Sequence, residues 1–470
     1  VRSRRQRQMC IRDRTTLLCV SCSNYLDIKP YGRTIPKTAE EFSALLHEQL
    51  NTIDAGNDSY IIGNASQWLT WDAQCGDDFE TCLTASGGRT LGVYVGTIIS
   101  NSSDNYYNNL YQSIRNCNIV LNEMEESNTT ETNTIRATAH AMRGVCYYQL
   151  LRLFCKISQT DNLNNQQGVP LVMTFDMEER PIRSTMQETI DLIEDDFRKA
   201  ISYHPSENIY RFTEDVIKGY QARLYFWTKQ WDKALPVAQE LLNKYPLVKG
   251  VLYEKMMTTA YDLAGNQLIK AYRAADTSGE NALSSANSLL QFRPVSLRFL
   301  SLFTEEEKTT DIRYRLWVDN KRMAKKTFFC GMRSAEFKLI EAECYYHLGK
   351  KDKALQSINE LRSHRIDNYS NLTENNLPTL SEKEIITIDA NGNALTPLMG
   401  LILNERRKEL FLEGDRFFEL KRNGAPEFWT AYNGQKYTTQ KFMYTFPIPA
   451  HDMLLVDGLE QNEGYTEISY

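Results

Sequence analysis

Apolar residues recur at three-, four- and seven-residue steps through much of this chain, and that spacing predicts a protein built mainly of α-helices. Thr38-Ala-Glu-Glu41 is a capping-box sequence ahead of Phe42, Leu45, Leu46 and Leu50, so a helix is expected to begin there. Leu110, Ile114, Cys117, Val120 and Leu121 form one stripe, and Ala139, Met142, Val145, Cys146, Gln149 and Leu150 form another. The short polar link between them predicts an antiparallel pair. A short extended piece is expected at Gln167 to Met173 and a further helix at about Thr185 to Ser202. Near the C-terminal end, "NERRKELFLEGDRFFELKRNG" (Asn404 to Gly424) reads as one helix, because Leu410, Phe411, Gly414, Phe417 and Phe418 share a face. Glu413 and Arg416 are spaced to pair on its surface. Lys421 and Arg422 suit the negative end of its dipole, and Gly424 is a stop. Gly414 is a poor helix former on the apolar face, which implies close packing there by another backbone or a ligand.

A second pattern is an internal repeat. "ARLYFWTKQWDKAL" (Ala222 to Leu235) aligns with "AECYYHLGKKDKAL" (Ala342 to Leu355), too far apart for adjacent solenoid units. Within each copy the pattern is tetratricopeptide-like: Ala222 and Tyr225 precede Ala234, and Ala342 and Tyr345 precede Ala354. Small residues are required where two helices cross closely, and the tyrosine fills the adjoining gap.

Between the helical parts the composition shifts. From Asn57 to Asn105, Gly, Asn, Asp, Ser and aromatics are frequent, and long irregular segments often carry function. Trp68, Trp71 and Tyr94 stand among polar neighbours there. Such rings either stack on flat sugar faces or anchor long loops in the core. Asp77 and Asp78 are candidates to orient sugar hydroxyls, or are solvated turn acids. Trp317, in the irregular stretch from about 250 to 335, is a possible second platform. "DANGN" (Asp389 to Asn393) lacks the spaced carboxylates of a calcium loop and reads as a turn.

Composition narrows the class. The chain has 470 residues, 42% of them hydrophobic and 24% charged, with a net charge of −6. That supports a sizeable core, and no basic tract after Cys22 reads as nucleic-acid binding. No apolar run is long enough for a transmembrane helix. P-loop, GxSxG, HExxH and dinucleotide fingerprints are absent, and the six histidines show no ligand spacing. Glu413 and Asp415 point to different faces of the expected helix, so they do not read as a glycosidase pair. No catalytic residue, cofactor or metal is implied. Cys117, Cys146 and Cys344 sit in helical, partly apolar contexts and read as small core residues, while Cys75 and Cys82 are the two that lie plausibly close. The first fourteen residues, "VRSRRQRQMCIRDR", are strongly basic and join abruptly to "TTLLCVSCS"; residues 1–21 are read as an incomplete signal sequence with foreign residues at its start.

Three stretches carry a resemblance. "NERRKELFLEGDRFFELKRNG" is similar to the C-terminal signature of the SusD/RagB family, "RSAEFKLIEAECYYHLGKKDKALQSINELRSHR" (Arg333 to Arg365) resembles its helical pair, and "FPIPAHDMLLVDGLEQNEGY" (Phe446 to Tyr465) its closing segment. Asp311 and Arg313 match its short Asp-x-Arg motif, and "CSNYLDIKPYG" is similar to the family's mature starts. The resemblance implies a mainly α SusD-like fold of tetratricopeptide-like hairpins with a loop-rich ligand-binding part. Residues 22–240 and 241–470 are expected as two parts of one interlocked globule. It implies a cell-surface, outer-membrane lipoprotein anchored through Cys22, with an oligosaccharide ligand and a SusC-like TonB-dependent transporter as partner. A peptide-binding RagB-like protein, a helical-repeat scaffold and a surface glycosidase are the alternatives.

Overall fold

The computed structural model describes residues 36–465 apart from 57–59, 81–94, 126, 175, 177, 260–262, 273–276 and 433–434. Cys22, the leader, Cys82 and Tyr94 lie outside the described residues.

The fold opens with α1 (Ala39–Ala55), whose Thr38 hydroxyl accepts from the Glu41 N–H while the Glu41 carboxylate accepts from the Thr38 N–H. This is the capping box read from sequence, and it satisfies two donors at the helix start. A short α2 (Ala65–Trp68) continues into a π-helical turn, Leu69–Gln74. The long α3 (Val95–Glu123) and α4 (Thr130–Phe154) pack against each other as the predicted pair. The extended piece is β1 (Gln167–Pro170), paired antiparallel with β2 (Arg183–Thr185), and Thr185 then caps α5 (Met186–Ser202).

The repeat forms two helical hairpins, α6 (Glu214–Trp227) with α7 (Trp231–Lys244), followed after α8 (Gly250–Thr258), β3 (Gln267–Lys270), α9 (Thr277–Leu290) and three short helices by the second. Those short helices are α10 (Leu297–Leu300), α11 (Glu307–Thr310) and α12 (Ile312–Trp317). The ladder β3–β4 (Gly331–Arg333) leads into the second hairpin, α13 (Ser334–His347) and α14 (Lys351–Ser363). Helix α7 packs on α13, so the two copies are neighbours in space. Ala222, Ala234, Ala342 and Ala354 are fully buried, as close crossing requires. Residue 240, the expected boundary between two parts, lies inside α7.

The signature stretch departs from the sequence reading. It is two helices, α15 (Pro397–Glu409) and α16 (Arg416–Arg422), separated by a turn in which Leu412 (φ 58°) and Gly414 (φ 75°) are left-handed. A Cβ at Gly414 would lie 2.5 Å from the Trp68 ring, so the close packing that this glycine signalled comes from a side chain. The expected Glu413–Arg416 pair does not form. Glu413 binds Lys326 (2.5 Å) and Arg333 (2.8 Å) instead. The chain ends with the hairpin β5 (Phe428–Tyr432) and β6 (Gln435–Thr439) and with α17 (Ala450–Leu455). Among the described residues, no helix is long and apolar enough to cross a membrane, and Cys75, Cys117, Cys146, Cys155, Cys330 and Cys344 are free and buried.

Candidate functional site

The polar, aromatic stretch around Trp68 is held inward by its own polar residues. Asn64 caps α2 by accepting from the Gln67 N–H at 2.9 Å. Trp68 is buried, and its Nε1 donates to the Phe329 carbonyl at 2.8 Å. The π-helical turn carries Trp71 into a cluster with Phe417 (stacked, 5.0 Å between centroids), Phe418, Tyr106 and Phe446. The next residue, Asp72, accepts from the backbone N–H groups of Gly414 (2.7 Å) and Arg416 (3.2 Å) and so closes the N-terminus of α16. Neither tryptophan presents a face to solvent, so the expected stacking platform is not formed by these rings here.

Asp77 and Asp78 have a different task from the one expected. Asp78 accepts from Arg407 at 2.7 Å, and Asp77 from Arg416 at 2.7 Å and Arg298 at 3.0 Å. Burial pushes the Asp77 pKa up, but Arg407, Arg416 and Arg298 more than reverse it and hold the carboxyl below the usual range. Both acids are buried. They tie the loop-rich segment to α15 and α16. Trp317 is also buried, with the Lys326 ammonium 4.3 Å above its ring.

The same α15–α16 region anchors a larger buried ionic knot. Glu409 receives Arg333 at 2.6 Å, Arg365 at 2.8 Å and Arg313 at 3.2 Å. Arg313 also binds Asp311 (2.7 Å) and Glu405 (2.8 Å), so the Asp-x-Arg motif serves the scaffold. Every member is nearly solvent-free, and the Arg donors answer the acids with fixed forked geometry.

An open cleft of about 740 Å³ begins where α16 ends. Its walls come from the loop after α4 (Lys156 to Gln159), the end of α16, the Asp389 turn and the segment from Gln440 to Thr445. "DANGN" is the turn expected: Asp389 Oδ1 accepts from the N–H groups of Asn391 and Asn393, each at 2.9 Å. In the floor, Lys421 Nζ donates to the carbonyls of Arg152 (2.5 Å) and Cys155 (2.8 Å) and meets no carboxylate among the described residues. Burial pushes its pKa down to about 7. Arg422 beside it is neutralised by Glu343. Lys229 forms no ion pair among the described residues, and burial followed by Arg422 lowers its pKa. Ser158 Oγ is buried with no hydrogen-bond partner among the described residues.

The hairpin beside the cleft carries a residue absent from the sequence-based expectations. Trp429 on β5 is 55% exposed, and Lys436 lies 5.2 Å from its ring centre. The signal was present in the two β-rich runs flanking Asn433-Gly434, a dipeptide that favours tight hairpin turns. No group of His, Cys, Asp and Glu among the described residues is arranged to hold a metal ion.

Two family models match the chain in succession. One, described as starch-binding and associating with the outer membrane (SusD-like), matches residues 24–226, and the SusD family model (SusD/RagB) matches residues 302–465. A tetratricopeptide repeat model matches residues 220–247, over α6 and α7. Among solved structures, a SusD-like carbohydrate-binding protein from Bacteroides vulgatus is 19% identical, with a TM-score of 0.66 over 90% of this chain and 98% of that one. A SusD superfamily protein from the same organism is 18% identical, with a TM-score of 0.69 over 92% and 100% of the two chains. A laminarin-binding SusD-like protein is 17% identical, with a TM-score of 0.60 over 92% and 100%. These likenesses establish the fold. Among curated proteins, none matches this chain by sequence.

Proposed function

Because the chain belongs to the SusD/RagB family, whose members are binding proteins and not catalysts, we propose that it captures an oligosaccharide at the cell surface and hands it to a SusC-like TonB-dependent transporter. The observation that carries this reading is the order of the two family matches on either side of a tetratricopeptide hairpin, within one SusD-like fold. The association with the outer membrane in the first family's description supports the location, and the laminarin-binding relative supports a glycan as cargo. Cys22 is the residue that would carry the lipid, with residues 22–240 and 241–470 acting as one binding body. Trp68, Trp71, Asp77, Asp78 and Trp317 enter this reading as the wall that shapes the loop-rich face, and Tyr94 as a candidate contact.

The test is retention on a glycan panel with product analysis. Binding without cleavage is the expected result. Cleavage would make the protein a surface glycosidase, peptide binding alone would make it a RagB-like peptide receptor, and binding of neither would leave a scaffold. For the anchor, metabolic lipid labelling of protein carrying an intact signal should be lost in Cys22→Ala.

A further inference from the structure

The cleft beyond α16 has three features that no scaffolding role uses. The first is its charge. Its floor holds two ammonium groups, Lys421 and Lys229, with no carboxylate in ion-pair contact among the described residues. The acids of the walls form no ion pair with either lysine among the described residues, although the Asp389 charge acts on Lys229 through space. Asp389 Oδ1 accepts two backbone N–H groups, Glu427 accepts from the Lys441 N–H at 3.2 Å, and Glu463 pairs with Lys156 at the rim. A buried ammonium without a counter-ion is costly, and a carboxylate brought by a ligand would offset that cost.

The second feature is Ser158. Its Oγ is buried, lines the cleft and lacks a partner among the described residues, whereas nearly all buried hydroxyls in folded proteins have one. It offers a donor and an acceptor within the same floor as the two lysines.

The third is the placement of Trp429. Strand residues two apart point to the same face. Glu427, just before β5, and Gln440, just after β6, both line the cleft. Trp429 does not itself line the cleft; it stands two residues beyond Glu427, about 7 Å along the chain at roughly 3.3 Å per residue. That is the span of about one sugar ring. Trp429 is paired across the ladder with Thr438, and Lys436 lies over its ring, so the indole is fixed in place while more than half exposed.

We propose that this cleft is a subsite for an acidic oligosaccharide, with a uronate carboxylate held by Lys421, Lys229 and Ser158 and the adjoining sugar ring stacked on Trp429. The assignment rests on the glycan-capture reading and names its ligand class. The carboxylate replaces the missing counter-ion, and the indole removes one sugar face from water.

The experiment is calorimetric titration of the full chain with tetrasaccharides of polygalacturonate, alginate and hyaluronan. Each is paired with its methyl ester, which keeps the sugar and removes the charge. Neutral laminari- and maltotetraose complete the set. At least one acidic tetrasaccharide should bind, and its ester should bind roughly tenfold to a hundredfold more weakly. Trp429→Ala should weaken the acid roughly tenfold. Lys229→Gln should remove most of the preference for acid over ester. Lys229 and Trp429 are only partly buried, so these variants report even if Lys421→Met fails to fold. Equal binding of acid and ester overturns the proposal, as does acid binding that survives both substitutions unchanged. Binding of neutral glycans alone also overturns it while leaving glycan capture standing. No binding of any glycan removes the capture reading and this proposal together.

Discussion

Helix α16 is only seven residues long, and its two ends meet opposite environments. At the N-terminal end, Arg416 faces Asp77 (2.7 Å), Glu419 (2.8 Å) and Glu384 (3.1 Å), its backbone N–H is capped by Asp72, and Trp71 stacks on the following Phe417. At the C-terminal end, Arg422 is answered by Glu343, but Lys421 beside it meets two carbonyls and no carboxylate among the described residues, and borders open space. Both ends are charged, buried and close to aromatic rings. They differ in that one C-terminal charge, Lys421, has no counter-charge among the described residues. Where a charge has its counter-charge, the pair holds segments distant in the chain in one register. Where it does not, the site is unfinished and has capacity for a ligand. A dense cluster of charge is therefore weak evidence for a binding site, and an unanswered charge beside a cavity is stronger.

The largest test of this contrast is to unbalance the sealed end. Glu409→Gln leaves Arg313, Arg333 and Arg365 without their shared anion and should lower stability by about 3–5 kcal/mol, read as a urea midpoint. The acid side gives the same test without mutation. Burial raises the Glu409 pKa, but Arg365, Arg333 and Arg313 carry it well below the usual range; Glu343 is brought to about 2 by Arg422 against burial. Unfolded glutamates titrate near 4.3. Depressed folded values therefore contribute stability that is complete above that pH and lost as pH falls toward 2. Wild type should lose stability across that window, and Glu409→Gln should lose less of it. An equal acid slope in both proteins would show that the pKa of this carboxylate is not depressed by folding.

Trp71→Ala comes next, with an expected loss of about 3 kcal/mol by thermal melting, because it empties a cluster of four neighbouring rings. The folded fraction should still bind its glycan as wild type does. Weakened binding with an unchanged melting temperature would restore Trp71 as a contact residue.

Much of the frame could be read from spacing and capping. The crossing alanines, the Thr38 capping box and the Thr185 helix start are local features, and each stands where its pattern placed it. The failures share one cause, which is that partners far apart in sequence decide burial. Asp77 and Asp78 look like turn acids until Arg407 arrives from more than three hundred residues away. Asn64 and Asp72 made Trp68 and Trp71 look solvated, yet they are helix caps whose bonds turn those rings inward. The continuous seven-residue repeat hid the break in the signature helix. Gly414 marked it, but Leu412 at φ 58° carries no residue-type signal. The hairpin that carries Trp429 had a local signal in Asn433-Gly434, and the Asp389 turn of the cleft wall was legible in the same way.

A smaller effect tests whether the helical hairpins are frame only. Ala354 is fully buried where α14 crosses its neighbours, and Ala354→Leu must push two helices apart. Overpacking of this kind should cost about 2 kcal/mol in melting experiments while leaving glycan affinity of the folded protein unchanged. An unaltered melting temperature would remove the close-crossing argument for the repeat.

The smallest expected effect falls on the open end of the comparison. Trp429 projects from a two-stranded hairpin, is 55% exposed and has Lys436 as its cation partner across the ladder. An exposed cation–π contact is worth about 0.5–1 kcal/mol at most. Part of that is recovered when the Lys436 ammonium returns to water. Surface substitutions away from caps, cores and ion pairs usually fall within about 0.5 kcal/mol. Trp429→Ala should therefore melt within that margin of wild type, in contrast to Trp71→Ala. The two tryptophans then separate cleanly, one moving stability without affinity and the other affinity without stability. If Trp429→Ala instead lowers stability by 2 kcal/mol or more, its ring belongs to the packed scaffold and is not free to receive a sugar.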